Sequence, residues 1–189
     1  IPKPPFLGYR FIEEIPISEL SEFIDWTFFF TSWDIPRRFP AVLDDEKYGK
    51  AANDLFNDAK SMLELITRNG SIKSCASYGF WKANGDSDDI VVFDESGQDE
   101  VCRLNMLRQQ QDRGDSAYAC LSDFVAPIET GLSDHIGMFA VTSGLGADEL
   151  AREYELDDDD YGSIMVGLLA DRLAEAAAEW LHLKVRRDW

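Results

Sequence analysis

Residues 75–107, CASYGFWKANGDSDDIVVFDESGQDEVCRLNML, decide the fold. Three runs within them, CASYGFW, DIVVF and EVCRLNML, are short and rich in β-branched and aromatic residues, with Gly, Asp, Asn and Ser between them. Branched and aromatic side chains suit a pleated surface, while the separators favour turns, so each run is expected to be a strand. The link at 94–97 is too short for a crossover helix, which makes an antiparallel meander the expected arrangement. Two later runs of similar character, LSDFVA at 121–126 and IGMFAVT at 136–142, are expected to be strands as well.

On either side of this region the apolar period changes from two to between three and four. Over residues 48–67, Ala52, Leu55, Phe56, Ala59, Met62, Leu63 and Ile66 form the stripe of an amphipathic helix, which Asn69 and Gly70 end. Residues 161–187 carry Met165, Leu168, Leu169, Leu173, Ala176 and Trp180 along one face of a second, long helix. The four aspartates before it, Asp157 to Asp160, suit a helix N-terminus, where carboxylates meet unpaired N–H groups and the positive end of the dipole. Capping therefore accounts for them without a metal. Near the start, Ser18 after the breaker Pro16 is expected to cap a short helix running towards Trp26, with Asp25 near its end. The dense cluster Trp26, Phe28, Phe29, Phe30 and Trp33 is expected to plug a core, a binding wall being the alternative. The opening IPKPPFLGYR holds three prolines in ten residues and reads as an extended arm. With no repeat and no low-complexity linker, the 189 residues read as one α+β domain.

Composition narrows the function. The net charge of −18 opposes binding along a phosphate backbone, so no nucleic-acid partner is expected. No apolar run approaches the roughly 20 residues that cross a bilayer, and the start lacks a basic segment followed by an apolar one, so neither a membrane nor secretion is expected. Cys75, Cys102 and Cys120 form no paired framework and no CxxC set, which suggests buried thiols, a reducing compartment and a cytoplasmic location.

The catalytic motifs that present themselves fail on inspection. Gly144-Leu145-Gly146 mimics the opening of a dinucleotide fingerprint, yet Glu149 stands where the third glycine belongs, beside Asp148, where a pyrophosphate would have to lie. A glycine turn into an acid-rich helix explains the stretch better. Asp134-His135-Ile136-Gly137 has the wrong spacing for the Asp-x-His-x-x-Gly pattern of cobalamin ligation. His135 and His182 supply no zinc set, and no GxSxG elbow exists. Neither a metal site nor a catalytic side chain is therefore assigned.

Eight segments, in order and over nearly the whole chain, carry a resemblance: FIDWTFFFTSW, FPAVLDDEKYGKAANDLFNDAKSML, YGFWKANGDSDDI, LRQQ, CLSDFVAP, IGMFAVT, DDYGSIMV and LADRLAEAAAEWLH. Together they resemble the activation domain of cobalamin-dependent methionine synthase, the module that binds S-adenosylmethionine during reductive reactivation. The resemblance implies a single C-shaped α+β domain with a twisted antiparallel sheet flanked by helices and a long C-terminal helix. In the family's Ile-Asp-Trp motif the aspartate meets the ligand's amino group; the match here is Asp25, between Ile24 and Trp26. The family's Asp-Arg-Leu-Ala-Glu-Ala helix faces the ligand, which implies contacts from Glu175 and Arg172, with a surface ion pair between those two as the bland alternative. Trp26 and Phe28 are implied as walls of the pocket. Phe28 and Lys82 stand where the family usually has proline, Ala177 where phenylalanine and His135 where tyrosine are frequent. A further family segment, Arg-Pro-x-Pro-Gly-Tyr-Pro, which holds the ligand's carboxylate and adenosine, does not occur in the 189 residues, so the domain is expected to lack that part of the site.

The function implied is positioning of the methyl donor S-adenosylmethionine for reductive methylation of cob(II)alamin. Cobalamin would be carried by a separate module of the intact enzyme, and a flavodoxin-type donor would supply the electron. The chain would thus be part of a methyltransferase and is not expected to turn over alone. The alternative is an acidic protein-interaction domain that keeps the fold without the ligand.

Overall fold

The computed structural model describes residues 1–111, 114 and 117–189. Its elements are β1 (Gly8–Ile12), α1 (Ile17–Leu20), α2 (Trp26–Ser32), α3 (Gly49–Asn69), β2 (Lys73–Asp86), β3 (Asp89–Phe93), β4 (Glu100–Asn105), β5 (Asp134–Leu145), α4 (Ala147–Leu156) and α5 (Asp160–Asp188). The strands lie in the order β1-β2-β3-β4, and β5 also pairs with β2. This is the α+β class and the long C-terminal helix anticipated from the periodicities.

The meander is present where the sequence is clearest. β2 and β3 pair antiparallel from Ala83 opposite Val92 to Asp86 opposite Asp89, and β3 and β4 pair antiparallel with Val92 opposite Cys102. Between β3 and β4, Asp94 Oδ1 accepts the N–H groups of Gly97, Gln98 and Asp99 at 2.8, 3.1 and 3.3 Å and the Ser96 hydroxyl at 2.8 Å. Those donors, the Ser96 hydroxyl foremost, hold the Asp94 carboxyl down at about 2. Gly97 completes the turn at φ +80, a conformation side chains disfavour.

The run at 121–126 is not a strand. Residues Leu121–Phe124 form a 3-10 turn, because the Cys120 N–H donates to Asp123 Oδ2 at 2.8 Å and so finds its partner locally instead of in a ladder. Arg108 reinforces this by donating to both Asp123 oxygens, at 2.8 and 2.9 Å, and to the Tyr118 carbonyl at 2.6 Å.

The contacts sort into two compact units. One comprises Ile1–Arg10, Ser77–Phe139 and Arg187–Trp189. In it the N-terminal arm lays Phe6 edge-on against Tyr78 and Phe80, at 5.6 and 5.1 Å, with the Arg10 guanidinium 3.9 Å from the Phe6 ring centre. The other comprises Phe11–Ala76 and Ala140–Arg186. Its core takes Ala52, Leu55, Ala59, Leu63 and Ile66 from α3 and Met165, Leu169, Leu173, Ala176 and Leu181 from α5. Burial of each large side chain stabilises by roughly 1.5–3 kcal/mol.

Helix ends follow local chemistry. Asp45 Oδ1 accepts the Lys47 and Tyr48 N–H groups just ahead of α3, and Gly70 closes that helix at φ +61 with its N–H on the Ile66 carbonyl. Asp159 Oδ1 accepts the Gly162 N–H at 2.8 Å, so the acidic run caps α5 as expected. Gly146, at φ +92, turns β5 into α4, and Asp148 and Glu149 occupy the first turn of that helix, in keeping with the glycine-turn reading. The thiols differ from expectation: Cys120 is buried, Cys75 is half-buried and Cys102 is exposed, because β4 turns most of its residues to solvent. Among the described residues no helix is long and apolar enough to cross a membrane.

Candidate functional site

Asp25 begins a helix instead of ending one. α1 opens after Pro16 with no side-chain cap, stops at Leu20 and tightens into a 3-10 turn over Ser21–Phe23, whose Ser21 hydroxyl donates to the Ser18 carbonyl. Ser18 is therefore not the cap expected. Ile24 is extended, and the chain re-enters a helix at Trp26 with Asp25 as the N-cap, its Oδ1 accepting the Thr27 N–H at 2.9 Å. A carboxylate suits this place because it satisfies a first-turn donor and meets the positive end of the helix. Asp25 is exposed.

The seven residues of α2 divide the aromatic cluster. Phe29 and Phe30 are wholly buried, whereas Phe28, three residues beyond the cap, is 57% exposed. Trp26 turns inward, edge-on to Phe56 at 4.8 Å and Phe29 at 5.3 Å. It also lines a cavity of about 640 Å³ with Phe56 and Leu63. The two suggested pocket walls thus take different surroundings: Trp26 joins that cavity, and Phe28 stays on the outside of α2.

Phe28 is met there by α5. The Arg172 guanidinium lies 6.0 Å from the Phe28 ring centre, at the limit of a cation–π contact. Its side chain is 15% exposed, and its Nε is shielded from solvent without a hydrogen-bond partner. One turn along, Glu175 Oε1 accepts from Arg172 at 3.4 Å, while its own side chain remains 67% exposed. The surface pair foreseen as the bland alternative therefore exists. At that length and exposure it is worth about 0–1 kcal/mol and leaves Glu175 free to reorient. Leu173, Ala176 and Ala177 are buried in the core, which leaves Arg172 and Glu175 on a different face of α5.

The structure brings Phe28, Arg172 and Glu175 together, and Asp25 stands three residues ahead of Phe28 at the start of the same helix; these residues offer two exposed carboxylates, an aromatic face and a guanidinium. Such a set can accept an ammonium, flank a cationic sulfur and donate to a carboxylate. It contains no nucleophile paired with a base, so its chemistry is binding. The capping role of Asp25 was missed from the sequence, although aspartate is itself a favoured N-cap residue and so a signal that a new helix starts at Trp26.

Residues 16–189 match the family described as vitamin B12 dependent methionine synthase, activation domain. A crystal structure of the MetH reactivation domain bound to AdoHcy is 42% identical, superposes with a TM-score of 0.92 and covers 97% of this chain. The chain spans 56% of the length of that one.

Proposed function

Because the chain belongs to the family of vitamin B12-dependent methionine synthase activation domains, we propose that it binds S-adenosylmethionine on the surface formed by the start of α2 and the middle of α5. The observation that carries this reading is the Arg172 guanidinium, paired with the exposed carboxylate of Glu175 and set against Phe28, three residues beyond the exposed carboxylate that caps α2. The amino-acid part of the ligand supplies the complementary groups. Its ammonium is held by Asp25, whose Oδ1 stays on the Thr27 N–H, and by Glu175 once that side chain swings from Arg172. The segment absent from these residues is the one the resemblance assigns to its carboxylate; on this surface the Arg172 guanidinium supplies a positive group beside it once Glu175 has swung away. Each charge-assisted bond of this kind contributes about 1.5–3 kcal/mol. The Phe28 ring flanks the sulfonium, an attraction of roughly 0.5–2 kcal/mol by analogy with other cations over aromatic faces.

The role of these residues is to hold and aim the methyl donor, so the gain is one of proximity and orientation. Cobalamin, carried by another module, supplies the cobalt that accepts the methyl group, and a flavodoxin-type protein supplies the electron. No acid, base or nucleophile of this chain is needed. Calorimetric titration of the full-length protein with S-adenosylhomocysteine tests the reading. Saturable binding that Glu175→Gln weakens about tenfold is expected; equal affinity in parent and variant would remove Glu175 from the site.

A further inference from the structure

Among the described residues few polar side chains are buried, and two of them meet. Ser74 on β2 and Ser143 on β5 are both fully inaccessible, and their hydroxyl oxygens lie 2.7 Å apart across 69 residues of sequence. Ser143 Oγ is also 3.1 Å from the carbonyl oxygen of Leu173 on α5. A carbonyl only accepts, so the Ser143 hydrogen goes to Leu173, and the hydrogen between the two serines is the one Ser74 donates. The bonds therefore run in one direction, from Ser74 through Ser143 to the backbone of α5.

The core contacts of this stretch of α5 are apolar and much less directional, while Trp180, further along the helix, donates its Nε1–H to Glu19 Oε2 at 3.0 Å. Leu169, Leu173, Ala176 and Ala177 are buried there, and the alanines offer little shape to resist a slide or a small rotation. A hydroxyl aimed at one carbonyl does resist it, because hydrogen bonds weaken steeply with misalignment. The carbonyl that is pinned belongs to the residue after Arg172 and two before Glu175. We infer that the Ser74–Ser143 pair is a positioning device that sets the register of α5 so that Arg172 and Glu175 face the ligand. This inference rests on the reading of that surface as the S-adenosylmethionine site.

Two variants separate positioning from plain stability. Ser143→Ala strands the Ser74 hydroxyl in the core, so the thermal midpoint falls. Ser74→Ala/Ser143→Ala leaves no stranded hydroxyl and should regain much of that loss. If the pair positions α5, affinity for S-adenosylhomocysteine, measured by calorimetry on the full-length protein, stays about three- to tenfold below the parent in both variants. It then no longer follows the midpoint. In a Glu175→Gln background the same serine changes should cost less affinity, since the group being positioned is gone. A double variant that binds as tightly as the parent overturns the inference and leaves the site standing. A parent that does not bind S-adenosylhomocysteine overturns the functional reading and the inference with it. Should Ser143→Ala not fold, the double variant still decides.

Discussion

Asp25 accepts the Thr27 N–H on Oδ1 at 2.9 Å, so the carboxylate assigned to the ligand's ammonium also closes the first turn of α2. The two roles can be separated by substitution. Asn caps as well as Asp but carries no charge, whereas Ala does neither. Asp25→Asn should leave the thermal midpoint nearly unchanged and weaken S-adenosylhomocysteine binding about tenfold or more. Asp25→Ala should bind at least as weakly and lose in addition about 0.5–2 kcal/mol of stability. Calorimetry beside thermal melts checks both. An Asn variant that binds like the parent would assign Asp25 to the cap alone.

Two glycines of similar backbone make a graded test of the fold. Gly70 has φ +61 and open space where a Cβ would stand; Gly146 has φ +92 and would drive its Cβ into the Ser71 carbonyl. Gly70→Ala should cost about 1–2 kcal/mol, the conformational penalty alone. Gly146→Ala should cost clearly more, because backbone has to shift. Urea midpoints give the comparison, and equal costs would contradict the close packing of the β5–α4 turn against Ser71.

The residues that specify the elements were legible in the sequence for the reason that makes them stable. The α3 stripe, ended at Gly70, and the α5 stripe are long enough for period and stop signal to agree, and the 94–97 link leaves β3 and β4 no choice but to pair antiparallel. The stretch 121–126 misled because its composition suits a strand, while Asp123 recruits the Cys120 N–H and Arg108, and the latter bond is not visible from local pattern. Asp25, Arg172 and Glu175 were reachable through family motifs alone, since nothing in their spacing marks a ligand. The approach of Arg172 to Phe28 and the hydroxyl bonds from Ser74 to Ser143 and from Ser143 to Leu173 join residues remote in sequence and needed coordinates.

Acid should act on the Arg108 cluster. Hydrogen bonds from Arg108, then from the Cys120 N–H, lower the Asp123 carboxyl from 3.8 to about 2. A carboxyl depressed on folding stabilises the native state above its unfolded value, and that contribution is lost as pH falls from about 4 towards 2. Thermal midpoints of the parent should therefore decline through this window more steeply than those of Asp123→Asn. Parallel curves would mean that the cluster carries no folding linkage.

Thiol accessibility gives a direct reading of the sheet. Cys102 is exposed on β4, whereas Cys120 is 3% exposed, with its sulfur 3.5 Å from the Asp88 carbonyl. Iodoacetamide followed by mass mapping should modify Cys102 first and reach Cys120 only on unfolding. Early labelling of Cys120 would contradict the turn built over it.

The central claim is that one ligand surface joins the start of α2 to the middle of α5. Its most direct test is a titration of the isotope-labelled full-length protein with S-adenosylhomocysteine, followed by NMR at the backbone amides and the Arg172 Nε–H. The account predicts saturable shifts concentrated at residues 25–28 and 171–176, with the Arg172 Nε–H moving as Glu175 leaves the guanidinium for the ligand. Saturable binding with those resonances unmoved, or with shifts centred on the cavity beside Trp26 and Phe56, would contradict it.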